Sequence, residues 1–597
     1  MSNLAYGTWR SLTAMFFEQA KLHGDRPLVW AKKDGLYQPW TWKKVEGQVR
    51  LLARALRARG IDDGERVVLV SENRPEWLIA DLAIMAAGGI TVPAYTTNSE
   101  IDHRYIMTDS GAMAAIVSTP SLAQRVLPAV TDSHAGQFMV TMAPPEFDQL
   151  HETAVVSWED MLAEGIGAPD EIDDQLARAE REDVACFIYT SGTGGAPKGV
   201  MLTHRNILAN CLGAYHLLKR YGLGEEVFLS FLPLSHAYEH TAGQFFPLSI
   251  GAQIYYAESA DKLFQNLVEA RPTIMTAVPR LYESMHQRIC RAMGRESGMT
   301  RRLFDLTVKL GHKRAAGSGR LNFFERLLDL LAEHLVRAKM RRRFGGRLKA
   351  MVSGGAALNP DIGRFFTALG LPILQGYGQT EAAPIISANP PHHVKMETVG
   401  PPLHGVEVKI AEDGEILVRG DMVMKGYWRA RDATAATIRD GWLHTGDVGE
   451  IDQDGYLKIT DRKKDIIVFS GGDNVSPARV EGILTLEPEV SQAMVYGDKR
   501  PHLVALLVPE EEFLRRWAKT NGKVVQLAQL AKLPDLHRAF VPVVERVNSK
   551  LSNLEKIRRY AISPEPFTVA NGLMTPTLKI RRHKIRAAYG KVLEELY

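Results

Sequence analysis

Short apolar runs that alternate with amphipathic stretches restrict this chain more than any other feature. Residues 65–95, ERVVLVSENRPEWLIADLAIMAAGGITVPAY, read as strand, turn, helix and strand in succession. The runs AAIVS, TIMTAVP, LKAMVSGG and PILQGYG are each set off by nearby Gly or Pro. Runs of that length without polar alternation belong to strands covered on both faces. Between such runs, Val45, Val49, Leu52 and Leu56 share one helical face, and Gly60 supplies a stop. The pattern predicts an α/β fold. No internal repeat of fixed period interrupts it.

The chain has 597 residues, enough for one large domain plus a smaller one. A net charge of +4 is too small to make the whole molecule a nucleic-acid binder. Cys186, Cys211 and Cys290 show no CxxC spacing and read as reduced thiols. The first residues lack a basic segment followed by a clean apolar core and a cleavage site, so no secretory signal is expected. Residues 78–95 are the most apolar long stretch, but Asp81 and several small residues mark them as a core helix followed by a strand. The expected location is cytoplasmic, with any membrane contact peripheral and on the inner face of the cell membrane.

Two regions depart from the alternation. Residues 288–349 are helix-rich and basic, with a break at RAAGSGR. There Phe324, Leu327, Leu328, Leu331 and Leu335 form one stripe, followed by Arg337, Lys339, Arg341, Arg342 and Arg343. One reading is a packed surface helix with a solvated basic end. The other is a basic patch, about 337–349, that rests on anionic lipid headgroups. After about Ile459 the character changes again, and residues 461–597 are long enough for a separate small α+β domain.

The chemistry is concentrated in YTSGTGGAPKGVMLTHRN, residues 189–206. It is glycine-rich like a Walker A loop, yet Lys198 lies between Pro197 and Gly199, so the G-K-[ST] ending is absent. Thr190, Ser191 and Thr193 offer three hydroxyls in four residues. Gly192, Gly194 and Gly195 let backbone N–H groups crowd an anion, and Lys198 adds a cation. The composition suits a phosphate grip.

This loop resembles the signature loop of the adenylate-forming superfamily, which includes acyl-CoA synthetases, luciferases and peptide-synthetase adenylation domains. Three further stretches follow in the family's order: MVSGGAALNP with LQGYGQTEAAP, then GWLHTGDVGEIDQDGYLKITDRKKD, then TPTLKIRRHKI. The resemblance covers essentially the whole chain. It implies a large N-terminal adenylate-forming domain of mixed sheets and flanking helices, residues 1–460, and a small mobile α+β domain, residues 461–597. It also implies that Thr190, Ser191, Gly192, Thr193, Gly194 and Lys198 hold the outer phosphates of ATP. Gly355, Ala356, Gln375, Gly376 and Gly378 would shape the nucleotide pocket, with Tyr377 stacked on the purine. Thr380 would touch the α-phosphate and Glu381 would hold Mg²⁺. Asp447 would accept from the ribose hydroxyls, and Arg462 would add a ribose or phosphate contact. Lys464 falls at the hinge. Lys579 would enter the active site as the cation between a carboxylate and the α-phosphate it attacks. His236 would border the acyl and nucleotide pockets.

HAYEH, residues 236–240, also fits the H-x-x-E-H pattern of a zinc peptidase, which requires both histidines on one helix face and a third ligand. The adenylate-forming reading takes precedence because the other motifs accompany it. LPLSHAYEHTAG, TAVPRLYESM and the basic insertion look like long-chain fatty acyl-CoA synthetases. An apolar tunnel lined by Phe245, Phe246 and residues 274–278 is expected for an alkyl chain. Eighteen residues follow Lys579, so no carrier domain is expected there and free coenzyme A becomes the natural acceptor. Gly471 and Gly472 would make room for its pantetheine arm after the small domain rotates. The alternative within the fold is a fatty acyl-AMP ligase serving a carrier protein. The substrates implied are a long-chain fatty acid, ATP with Mg²⁺, and coenzyme A, with no nucleic acid and the oligomeric state open.

Overall fold

The protein is described here by a computed structural model, which covers residues 6–144, 153–190, 196–259, 261–296, 298–315, 321–471, 473–575 and 579–597. The alternating pattern folds into two eight-stranded sheets. In the first, the strands Ile90–Pro93, Arg66–Val70, Ala114–Val117, Phe138–Thr141 and Ala154–Ser157 run parallel, with Val67 opposite Ala114 and Ala114 opposite Phe138. Val184–Thr190 joins them through Thr91 and Cys186, and pairs antiparallel with Lys198–Thr203. The second sheet runs from Ile385–Ala388 through Ile373–Gly378, Ala350–Ser353, Ile274–Ala277 and Val227–Ser230 to Gln253–Tyr256, Pro27–Lys33 and Leu36–Thr41.

One core joins the sheets. The helix Pro75–Ala86 is buried along its whole length, including Asp81, because apolar residues surround its circumference. Trp77, Leu78 and Ile79 share a cluster with Val67 and Leu69 of the first sheet and Leu28 and Ile254 of the second. Each large side chain so enclosed stabilises the fold by roughly 1.5–3 kcal/mol. The Asp81 carboxylate is tolerated because His240 Nε2 lies 2.9 Å from Oδ2 and Gln244 Nε2 donates to the same oxygen at 2.8 Å.

A third, antiparallel sheet of Glu407–Ile410, Glu415–Arg419, Trp442–Ile451, Ile438–Arg439 and Leu457–Arg462 follows. Its last strand runs across residue 461. Beyond it, Val490–Tyr496, Leu503–Pro509 and Ile557–Ile562 form a three-stranded sheet with its own cores, one around Phe540 and one around Phe567.

The helix-rich insertion comprises Pro279–Arg295, Met299–Ala315 and Phe323–Ala332, the last continuing through a π-helical turn, Glu333–Arg337, into Ala338–Arg343. Residues 316–320 of the glycine break lie outside the described residues. The apolar stripe is not packed. Phe323 is 78% exposed and Phe324 75%, and Leu327, Leu328, Leu331 and Leu335 face solvent as well. Ion pairs set the orientation of the helix instead: Lys313 binds Glu325 at 2.7 Å, Arg314 binds Asp329 at 3.1 Å, and Arg337 binds Asp329 at 2.6 Å. Arg337 is therefore buried, and its Nε also donates to Ala368 O. Arg341 pairs with Glu333. Of the expected basic end, Lys339, Arg342 and Arg343 remain exposed.

Candidate functional site

Strands Val184–Thr190 and Lys198–Thr203 bring Thr190 directly opposite Lys198, so the glycine loop leaves and re-enters the sheet at one point. Tyr105 donates to Pro197 O at 2.7 Å, and Tyr189 donates to Asp109 Oδ2 at 2.6 Å, which fixes the base of the loop. Ser191, Gly192, Thr193 and Gly194 lie outside the described residues. Thr190 and Lys198 both face a cavity of about 3220 Å³ between the large sheets and the C-terminal domain.

The strand Ile373–Gly378 delivers the next group. At Gly378 a Cβ would stand 1.9 Å from Pro384 O, so only glycine allows the chain to double back there. The short helix Thr380–Ala382 follows, and Thr380 and Glu381 face the cavity with Gln375, Gly376 and Tyr377. Gly355 and Ala356, after the strand Ala350–Ser353, form the adjoining wall. Tyr427 donates to Glu381 Oε1 at 2.9 Å, and the ring of Tyr427 lies 5.0 Å beneath Lys198 Nζ. A cation, an aromatic face and a carboxylate are thereby joined across three elements.

Asp447 and Arg462 are opposite each other on adjacent strands, so their pairing follows from register. Arg462 Nε donates to Asp447 Oδ1 at 3.0 Å, and Tyr377 donates to Oδ2 at 2.6 Å. The carboxylate is 4% exposed. Each oxygen retains a second lone pair, so two protein donors do not exhaust it. Burial, followed by the Asp447 charge, pushes the Tyr377 phenol well above its ordinary range, and it stays a donor.

Lys579 comes from the C-terminal domain. Lys579 N–H donates to Thr575 Oγ1 at 3.1 Å and Thr575 N–H donates to Lys579 O at 2.8 Å, while Met574 bridges Ile580. These contacts hold Thr575 and Lys579 side by side on the cavity wall. Residues 576–578 lie outside the description. Lys579 keeps open surface because it faces the cavity, yet protein walls desolvate its ammonium. Burial first, then Arg462, pushes it down to about 8, against the opposing pull of Asp447 and Glu381. His236 also faces this cavity, and its Nδ1 accepts from Tyr238 N–H at 3.2 Å. Burial and the Lys579 cation push His236 down to about 3, so the ring is neutral near pH 7. Lys464 lines the same cavity at the junction of the domains.

Some expected positions stand elsewhere. Gly471 is exposed and does not line the cavity, and Gly472 lies outside the described residues. Phe246 lines the cavity with Ile274, Thr276 and Val278, but Phe245 points into the core against His240, with ring centroids 4.9 Å apart. Adjacent residues on a helix point in different directions, so only one of the two phenylalanines faces the cavity.

HAYEH forms no zinc site. His236 precedes the helix, and a π-helix, Glu239–Phe245, begins within the motif. His240 turns to Asp81, while Glu239 accepts from Thr276 Oγ1 at 2.7 Å. Among the described residues no group of three His, Cys, Asp or Glu is placed to hold a metal. No helix among them is long and apolar enough to cross a membrane.

Tyr427 is the site residue that the sequence did not disclose. It lies in KGYW, with no motif or period around it, and only the pairing of Gly426–Tyr427 with Lys198–Thr203 brings it to Glu381.

Known proteins resemble the chain throughout. The long-chain-fatty-acid–CoA ligase FadD15 of Mycobacterium bovis is 34% identical over 609 residues, covering 99% of this chain and 98% of that protein. The peroxisomal long chain acyl-CoA synthetase 7 of Arabidopsis thaliana is 30% identical, covering 94% and 82%. Among solved structures, the adenylation domain of a carboxylate reductase from Mycobacterium chelonae superposes with a TM-score of 0.78 at 22% identity, covering 98% of this chain and 91% of that one. Residues 16–428 match the model of the AMP-binding enzymes, and residues 464–597 match that of the AMP-binding enzyme C-terminal domain. The chain belongs to the AMP-binding enzyme family.

Proposed function

We propose that the chain is an AMP-forming long-chain fatty acid–CoA ligase that works in two half-reactions in this cavity. A carboxylate oxygen of the acid attacks the α-phosphorus of ATP. The bond to the β-phosphoryl group breaks, and pyrophosphate leaves. The thiolate of coenzyme A then attacks the acyl carbonyl carbon, and AMP departs with the former carboxylate oxygen.

The observation that carries this reading is that Lys579, from one domain, faces the same cavity as Glu381, Asp447 and Arg462 of the other. Two anions must meet in the first step, and a cation between them favours the transition state more than the separated reactants. Thr380 holds the α-phosphate, and Thr190, Ser191, Gly192, Thr193, Gly194 and Lys198 hold the leaving pyrophosphate. Gly355, Ala356, Gln375, Gly376, Gly378 and the Tyr377 ring enclose the base. Asp447 and Arg462 bind the ribose. Neutral His236 packs between the nucleotide and acyl sides as a hydrogen-bonding group, not a second cation.

Mg²⁺ is chemically compatible with Glu381, a hard carboxylate on the cavity wall with one oxygen steadied by Tyr427. When bound it neutralises charge on the ATP phosphates. Phe246, Ile274 and Val278 supply apolar wall for the alkyl chain. Coenzyme A requires a second orientation, in which the small domain pivots near Lys464, withdraws Lys579, and brings Gly471 and Gly472 to the cavity.

The exposed apolar face beginning at Phe323 and Phe324, with Lys339, Arg342 and Arg343 further along the same insertion, fits peripheral contact with an anionic bilayer. A triple Phe323→Ser, Phe324→Ser, Leu327→Ser variant should lose sedimentation with phosphatidylglycerol liposomes. Sedimentation equal to wild type contradicts the contact. The ligase reading is tested with ATP, Mg²⁺, palmitate and coenzyme A: AMP, pyrophosphate and palmitoyl-CoA should form in equal amounts, whereas ADP would contradict it.

A further inference from the structure

The helix Pro279–Arg295 touches the C-terminal domain at two points. Near its start, Arg280 Nη1 donates to Ser491 O at 3.1 Å. Near its end, Arg291 Nη2 binds Glu510 at 2.7 Å and Arg291 Nη1 binds Glu512 at 2.8 Å, with Arg295 3.7 Å from Glu512. The two arginines stand eleven positions apart on the α-helix, about 16 Å along the axis. One contact would leave the small domain free to swivel about it. Two contacts on one rigid rod fix its direction.

The first contact abuts the element that carries Lys579. Arg280 shares a small cavity of about 240 Å³ with Ser491, Gln492, Phe567 and Met574. Gln492 Nε2 donates to Phe567 O at 2.9 Å, Phe567 N–H donates back to Gln492 Oε1 at 2.7 Å, and Met574 bridges Ile580 next to Lys579. The second contact is ionic and part-exposed, so it can open. On the same helix, Leu281, Ser284 and Arg288 line the main cavity, and these positions continue at helical spacing into Arg291 and Arg295. The element that touches the acyl side of the cavity is therefore the one that grips the mobile domain.

We propose that Pro279–Arg295 is a two-point clamp for the adenylating orientation, and that Arg291 is a positioning residue for the first half-reaction. It rests on the reading of Lys579 given above. The clamp holds Lys579 at the carboxylate during adenylation and must release before coenzyme A reacts. Arg291 does not line the main cavity, and its effect passes through the domain that it holds.

The test separates the half-reactions. Arg291→Glu should lower palmitate-dependent ATP–pyrophosphate exchange about tenfold. Coenzyme A transfer from supplied palmitoyl adenylate should stay at or above the wild-type rate. Adding Glu510→Arg and Glu512→Arg to Arg291→Glu should restore exchange. Unchanged exchange in Arg291→Glu, or no restoration by the charge swap, overturns the proposal. If Arg291→Glu does not fold, Arg291→Gln should show the same selective loss at about threefold, and equal loss of both half-reactions in that variant also overturns it. Lys579→Ala, run beside them, keeps the two readings apart. Retained exchange there refutes the role given to Lys579, whereas lost exchange there with normal exchange in Arg291→Glu refutes only the clamp.

Discussion

Tyr427 places its hydroxyl 2.9 Å from Glu381 Oε1 while its ring lies under the Lys198 ammonium. The tyrosine thus connects the proposed metal ligand to the lysine proposed to hold phosphate. Tyr427→Phe keeps the ring and removes the hydrogen bond. Losing a hydrogen bond that orients a metal ligand typically costs about 10- to 100-fold in metal affinity, so the Mg²⁺ concentration for half-maximal rate should rise at least about tenfold. The CoA half-reaction from supplied adenylate should be unaffected. A Mg²⁺ titration of exchange in both proteins measures the shift.

Lys579→Ala should lower adenylation by about 10²- to 10³-fold, the loss typical of one charge-stabilising donor. Transfer from supplied palmitoyl adenylate to coenzyme A should persist. Comparing the two rates in one variant checks the assignment, and equal losses would contradict it.

The pH profile should show one alkaline limb from this lysine. Lys579 is pushed down to about 8, so its protonated fraction falls as pH rises through that value. The kcat/KM of adenylation, which reports groups of the free enzyme, should fall above pH 8. Lys579→Arg keeps its charge to far higher pH and should remove that limb, even if its maximum rate is lower. His236, held at about 3, should contribute no limb between pH 6 and 7.

Glu239 gives a prediction about stability. Burial pushes its carboxyl up to about 7 from an ordinary 4.5, opposed by hydrogen bonds from Ser230 and Thr276. The folded protein therefore binds this proton more tightly than the unfolded chain, and stability declines as pH rises from about 4.5 through 7. Glu239→Gln can still accept from Thr276 without a charge. It should raise stability by about 1–3 kcal/mol at pH 8 and by much less at pH 5. Thermal unfolding at the two pH values measures the difference.

The residues legible in the sequence were those held by short, contiguous backbone. Thr190 and Lys198 flank one loop, and Thr380 and Glu381 follow one glycine reversal, so their spacing alone keeps them together. The strands around Val67 and the buried helix at Trp77 were equally legible, because burial on all sides leaves a continuous apolar run. Asp447, Arg462 and Lys579, though set by distant pairing, were legible through the family's motifs; distant residues without a motif were not. Tyr427 meets Glu381 across forty-six positions, and Arg291 meets Glu510 across more than two hundred, without a local pattern at either end. The stripe from Phe324 to Leu335 had the right period but the wrong partner, since Glu325 and Asp329 face the neighbouring helix and the leucines face outward. Arg337 was misplaced for the same reason. Phe245 and Phe246 were separable only once the π-helix showed which of them enters the cavity.

If the acid attacks the α-phosphorus, one of its carboxylate oxygens must end on AMP, and isotopic labelling follows that oxygen. Palmitate labelled with ¹⁸O in both carboxylate oxygens should be converted with ATP and coenzyme A in unlabelled water. One ¹⁸O should appear in the phosphate of each AMP and one should remain in palmitoyl-CoA. AMP without label, or label in pyrophosphate, would contradict it.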